Sequence, residues 1–272
     1  MKSDKEQLMS INTATVKTED LEMRFLRFGS GKDIMVILPG MSIKSVLDSA
    51  DFIASAYSVF ADRFTLYLFD LRSDIPDRYT PSDMADDTAA ALKELGLSDV
   101  YLFGVSLGGI TSQCLAARYP ELVHKLVLAS TAVKLPEASQ ERLRKWIELA
   151  KDKKTEQLVM EFAEAVYSDE LLSRNRSAFV QLAKMVTEDE LERFAATAGG
   201  LVGFDTEGLT GDIKCPVFVI GGAKDKLTPA DSMKKLAEGA NAKLYLYEDG
   251  THSVYDEKPD FKQRMLDFYT GD

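Results

Sequence analysis

The sequence predicts a mostly parallel α/β sheet with helices on both faces, interrupted by a helical insertion. Three observations predict it. Short apolar runs alternate with helix-patterned segments through most of the chain. Between about 134 and 208 that alternation stops, and only helical stripes remain. Finally, Gly104-Val105-Ser106-Leu107-Gly108 sits where a predicted strand turns sharply into a predicted helix.

Residues 11–17 and 21–28 alternate apolar and polar, the pattern of antiparallel strands at a sheet edge. Ile34 to Leu38 is continuously apolar, as a strand buried on both faces must be, and it ends in Pro39-Gly40-Met41. A helix is expected over 45–62, then a strand from Phe64 to Phe69. Thr80-Pro81-Ser82-Asp83 offers an N-cap, a proline at N1 and an acid at N3, opening a helix that Gly96 ends. The strand Val100–Phe103, a helix from Ile110 to Tyr119 and the strand Lys125–Ser130 follow.

In the insertion, Leu143, Trp146, Ile147 and Ala150 share one helical stripe, and three similar stripes succeed it. About four helices are expected, with Gly199, Gly200 and Gly203 breaking the last and serving as candidate hinges. The alternation resumes with a strand at 216–220. A helix capped at Thr228-Pro229 runs to Glu238, then a strand spans 243–247 and a helix 259–269. The expected division is 1–133 and 209–272 for the core and 134–208 for the cap.

The 272 residues carry a net charge of −11, a field that repels nucleic acid and anionic membrane surfaces. Neither is expected as a partner, and a small-molecule substrate is. Cys114 and Cys215 lie far apart in apolar contexts and imply no disulfide framework. The opening MKSDKEQLMS lacks the apolar stretch of a signal peptide. A cytoplasmic monomer or homodimer is expected. Two histidines and two lone cysteines give no metal spacing, and there is no phosphate loop, so neither metal nor cofactor is anticipated.

Strand order brings three polar residues to one sheet edge. Ser106, Asp225 and His252 each follow a predicted strand at its carboxyl end, where open parallel sheets bind ligands. A serine hydroxyl needs a base to take its proton, and a neutral imidazole needs a carboxylate to fix its tautomer. His124 precedes its strand, at the opposite edge, so His252 is the candidate base. Asp225 is the candidate acid, with Asp249 and Asp256 as rivals close to His252. Two N–H donors aimed at one point would hold a developing oxyanion. The candidates are Leu107, after the serine, and Met41, after the Ile34–Leu38 strand, since Pro39 has no N–H to give.

These stretches together resemble the α/β-hydrolase fold superfamily, in its serine-hydrolase branch with a helical cap. The matching motifs are GVSLGG (104–109), YPELVHKLVLAS (119–130), CPVFVIGGAKDKLTP (215–229) and GTHSVYDEKPDF (250–261). The order Ser106, Asp225, His252 is that family's order. Two departures stand out: Pro39-Gly40 where the family often has His-Gly, and a segment after Asp70 that lacks the family's usual glycines. A serine rather than a carboxylate at the elbow speaks against the dehalogenase and epoxide-hydrolase branches.

The resemblance implies hydrolysis of a small-to-medium neutral carboxylic ester, or a related acyl compound, through an acyl-enzyme on Ser106. C–C bond hydrolysis or lyase chemistry, an aminopeptidase and a non-catalytic receptor stay open beside it. For an aminopeptidase, Glu161 or Glu164 could hold the substrate ammonium, and a basic pocket for anions could form at Arg142, Arg144 or Lys145. The cap carries more large side chains than a small helical cluster needs. Trp146, Met160, Phe162, Phe179 and Phe204 are the candidates for an apolar pocket wall.

Overall fold

The structure, a computed structural model, describes residues 11–271, so the expectation drawn from the first ten residues lies outside it. Eight strands form one sheet: β1 (Asn12–Lys17), β2 (Glu22–Phe28), β3 (Asp33–Leu38), β4 (Phe64–Arg72), β5 (Val100–Val105), β6 (Val123–Ala129), β7 (Val217–Gly222) and β8 (Lys243–Tyr247). Their spatial order is β1-β2-β4-β3-β5-β6-β7-β8. The β1–β2 and β2–β4 pairings are antiparallel and the rest parallel. Side chains show why. Those of β1 mostly face solvent, as an edge strand allows, whereas every residue of β7 is buried.

Between β3 and β4 lies α1 (Ala50–Ala56), and α2 (Pro81–Glu94) follows β4. Next come α3 (Leu107–Arg118) after β5, the insertion helices α4 (Glu137–Lys151), α5 (Thr155–Val166), α6 (Asp169–Met185) and α7 (Glu188–Leu201), then α8 (Ala230–Gly239), α9 (Val254–Glu257) and α10 (Phe261–Thr270). Helices α2, α3 and α8 bury residues such as Leu92, Leu115 and Leu236 on one sheet face. The other face is covered by Ala54 of α1 and by Phe261, Met265 and Tyr269 of α10. No helix among the described residues is long and apolar enough to cross a membrane.

The single helix expected over 45–62 is instead three short pieces, with 3₁₀ turns at Val46–Ser49 and Ser58–Phe60 flanking α1. The buried positions explain it. Ala54, Tyr57 and Phe60 recur every three residues, the period of a 3₁₀ turn rather than of an α-helix.

The insertion leaves and rejoins the core at a narrow neck. There Lys134 and Asp205 form an isolated bridge and an ion pair of 3.2 Å, and Thr206 N–H donates to the Val133 carbonyl. Its inner surface is continuous with the core: Leu143, Trp146, Leu158 and Phe194 pack in one cluster with Leu107 and Ile110 of α3.

Gly199 and Gly200 do not break α7 but lie within its last turn, which ends at Leu201. Gly200 is there because the helix presses on the core: a Cβ would stand 1.9 Å from the Tyr79 carbonyl oxygen. Nothing lies within 4 Å of the corresponding point on Gly199. Alanine is favoured over glycine in a helix by about 0.5–1 kcal/mol. Gly199→Ala should therefore stabilise the protein by up to that amount. Gly200→Ala should destabilise it by about 1–3 kcal/mol, because the clash is with backbone that cannot rotate away. Urea unfolding of the two variants checks the opposite signs.

Candidate active site

The β5–α3 turn presents Ser106 with φ 51° and ψ −114°, left-handed backbone that a side-chain-bearing residue adopts only under constraint. Its neighbours impose that constraint. Ser106 N–H donates to the Ala129 carbonyl at 2.9 Å, and its own carbonyl accepts from Gly109 N–H and from Thr131 Oγ1 at 2.8 Å. The flanking glycines are required by space. A Cβ on Gly108 would lie 2.1 Å from the Leu38 carbonyl oxygen, and one on Gly104 would lie 2.3 Å from Ser112 Oγ.

The Asp225 carboxylate lies beyond the carboxyl end of β7 and is fully saturated. Its Oδ1 accepts from the N–H groups of Leu227 (2.8 Å) and Thr228 (2.9 Å), and its Oδ2 accepts from Thr228 Oγ1 (2.6 Å). His252 Nδ1 lies 2.8 Å from the same Oδ2. Both side chains are buried. Burial alone would push the Asp225 carboxyl up. The adjacent His252 imidazole and the Thr228 hydrogen bonds outweigh it and hold the pKa below the ordinary carboxylate value. With Nδ1–H donating to Asp225, the Nε2 lone pair of His252 is left to accept a proton.

The end of β6 holds Ser106 and His252 to one frame. Ser130 Oγ donates to the His252 carbonyl at 2.6 Å, and Thr131 Oγ1 donates to that of Ser106. Neither residue drew notice in the sequence. Thr228 did, as a helix cap, but α8 is capped at Pro229 without a side-chain bond, and the Thr228 hydroxyl serves Asp225 instead.

The rivals lie elsewhere. Asp249 is exposed and paired with Lys258 at 2.7 Å. His124 stands at the amino end of β6, 3.0 Å from Asp99. Both cysteine thiols are pushed up by burial, Cys114 to about 12 and Cys215 to about 11, so neither is a thiolate near neutral pH.

A cavity of about 370 Å³ opens over the strand ends. Ser106, His252, Met41 and Leu107 all line it. Leu107 is the first residue of α3, so its N–H has no partner within the helix. Of the candidate wall residues, Trp146, Phe162 and Phe179 line the cavity. Met160 and Phe204 do not, which corrects the sequence expectation. The cavity face of α5 is Val159, Phe162, Ala163 and Val166, one stripe that excludes Met160. Phe204 follows α7 and packs where the cap cluster meets the sheet core. Glu161 pairs with Lys145 at 2.7 Å, and neither lines the cavity, nor do Glu164, Arg142 and Arg144. The lining also includes Tyr57 and Tyr255, which the sequence reading passed over, and Asp256, the remaining rival acid.

The family model described as the alpha/beta hydrolase fold matches residues 33–259. The chain belongs to the α/β-hydrolase fold family. It is 26% identical over 275 residues to the mouse protein named serine hydrolase BPHL, covering 95% of this chain and 86% of that one. To the protein of Acinetobacter baylyi named 3-oxoadipate enol-lactonase 2 it is 23% identical, covering 82% and 84% of the two chains. Among solved structures, MGS-M2, an alpha/beta hydrolase enzyme from a deep-sea metagenome library, superposes with a TM-score of 0.84 at 22% identity. That match covers 94% of this chain and 97% of the other.

A fluorophosphonate should form one covalent adduct, on Ser106, and Ser106→Ala should abolish it. Mass spectrometry of the labelled peptides checks the position, and labelling that survives the substitution would count against the assignment.

Proposed function

We propose that this protein is a serine hydrolase that cleaves a small-to-medium neutral carboxylic ester through an acyl-enzyme on Ser106. The observation that carries the reading is the 2.8 Å contact between His252 Nδ1 and a saturated, buried Asp225, with His252 lining the same cavity as Ser106 at its strained elbow. A site that only binds a ligand has no need of an activated nucleophile. Relatives named serine hydrolase and enol-lactonase support ester or lactone chemistry.

In this reading Ser106 Oγ attacks the ester carbonyl carbon while His252 Nε2 takes the hydroxyl proton. The carbonyl electrons move onto oxygen, and the N–H groups of Leu107 and Met41 stabilise that oxyanion. Collapse expels the alcohol, which receives the proton from His252 and leaves the acyl group on Ser106. Water, deprotonated by His252, then attacks the acyl-enzyme, and departure of the acid restores the serine. Asp225 keeps the imidazole in the productive tautomer and stabilises the imidazolium.

The cavity wall suits an apolar acyl group, with Trp146, Phe162, Val159 and Leu143 facing it. The net charge of −11 disfavours anionic substrates on approach. The thiol pair and the acidic surface fit a cytoplasmic protein.

Asp225→Asn should keep the fold and reduce turnover by about 10⁴-fold, through the wrong imidazole tautomer. Asp249→Asn should leave turnover within a few fold of the parent. Steady-state kinetics on a p-nitrophenyl ester, with circular dichroism for the fold, check both. Carboxylate-bearing esters should give a lower kcat/KM than neutral ones of equal size.

A further inference from the structure

The segment that follows β3, residues 39–45, carries the Met41 N–H and runs close over Ser106. A Cβ on Gly40 would stand 3.4 Å from the Ser106 Cβ. Among the described residues, residues 39–44 make no hydrogen bond from main chain to main chain. The segment also has space on both sides. One side faces the cavity of about 370 Å³. The other faces a hollow of about 40 Å³, lined by Asp70 and Arg193 together with Met41 and Leu107. Neither paired backbone nor dense packing behind it fixes the direction of the Met41 N–H.

The anchors come instead from side chains, and they lead to α7. Ile43 is buried in the same cluster as Leu191 and Phe194 of that helix. Lys44 Nζ donates to Glu190 Oε1 at 2.6 Å. Ser45 Oγ donates to Asp70 Oδ2 at 2.5 Å, and Arg193 Nη2 donates to Oδ1 of the same carboxylate. Glu190 and Arg193 are three residues apart, so they share one face of α7. Asp70 lies two residues past Leu68, which pairs with Ile37 of β3, so it stands beside the chain as it leaves the sheet. The carboxylate is buried and takes a third hydrogen bond from the Leu71 N–H at 2.8 Å.

We propose that Asp70 and Arg193 are positioning residues that latch α7 to residues 39–45 and thereby aim the Met41 N–H. The proposal rests on the serine-hydrolase reading, in which that N–H holds the oxyanion, and extends it to a residue of the cap. Neither Asp70 nor Arg193 lines the cavity that holds Ser106, so both act through the segment and not on the substrate. The chemistry of the pair explains how. A buried carboxylate needs its partners, and loss of the guanidinium leaves Asp70 one donor short. Leu71 is fixed in β4. Ser45 is the partner free to move, so the relaxation falls on the segment that carries Met41.

An oxyanion donor acts in the transition state and little in the ground state. Outright removal of one costs about 10²–10³ in kcat, and misdirection costs part of that. Arg193→Met should therefore lower kcat on a neutral p-nitrophenyl ester by roughly tenfold or more, with KM within about threefold of wild type. Arg193→Lys, which keeps a cation, should recover most of the loss. Asp70→Asn should show the same split, and the double variant should be no worse than Arg193→Met, because both remove one interaction. Lys145→Met breaks a cap ion pair with Glu161 away from the segment, and should change neither constant.

A trifluoromethyl ketone gives a second readout. Ser106 Oγ bonds to its carbonyl carbon, the carbonyl electrons move onto oxygen, and the serine proton passes to His252. Its affinity should fall in Arg193→Met by the same factor as kcat, while the matching methyl ketone, bound without addition, keeps its own. Circular dichroism confirms that each variant is folded. A raised KM with kcat unchanged, or a lowered kcat with trifluoromethyl ketone affinity unchanged, would overturn the latch and leave the hydrolase reading standing. No turnover by wild type, with no fluorophosphonate adduct on Ser106, would overturn both.

Discussion

The backbone of Ser106 is the constraint on which the site depends. A left-handed residue between a strand and a helix is unfavourable by about 1–3 kcal/mol, and it persists only when its surroundings over-determine it. Here the surroundings are specific. The strand β6 supplies Ala129 O to its N–H, and the first turn of α3 and the Thr131 hydroxyl hold its carbonyl. The absence of side chains at 104 and 108 lets β3 and α3 close around it. The strain puts the hydroxyl at the amino end of α3, where the free N–H groups favour developing negative charge.

Around this point the cap is tied down at several separate places, each beside a loop that serves the site. Glu190 and Arg193 of α7 reach Lys44 and Asp70, next to the loop carrying Met41. Ser139 of α4 donates to the Leu227 carbonyl, in the loop of Asp225. Ser168, at the start of α6, gives its N–H to Glu257, on the helix that follows His252. These contacts hold the aromatic wall of Trp146, Phe162 and Phe179 on the cavity that Ser106 and His252 also line. Surface ion pairs are worth little, but the Asp70 pair is set against a carboxylate only 8% exposed, where screening is weaker.

The sheet was legible because its interior strands are buried on both faces and so are apolar without interruption, as β3 and β7 are. Ser106, Asp225 and His252 were legible as candidates because each follows a strand, β5, β7 and β8, at its carboxyl end. With only two histidines, one at the wrong edge, position alone selected His252. What escaped depends on tertiary contact. No local signal says that Gly200 meets the Tyr79 carbonyl, or that Thr228 turns its hydroxyl to Asp225 rather than to a helix N–H. A list of large cap residues cannot separate Phe162, on the inner stripe of α5, from Met160 two positions earlier. Asp256 drew attention as a rival to Asp225, and only the folded chain places it on the cavity wall instead.

The hydroxyls of Ser130 and Thr131 have a further consequence. Ser106 and His252 are separated in sequence by the whole insertion, yet both main chains are referred to adjacent residues of a single strand end. Errors of position therefore do not accumulate along the intervening chain. The insertion can be lengthened, repacked or given a different wall without altering the spacing of Ser106 and His252, provided its neck at Lys134 and Asp205 stays closed. The same scaffold thus separates two parts: a datum at the sheet edge that holds Ser106 and His252, and a roof that can change without moving them.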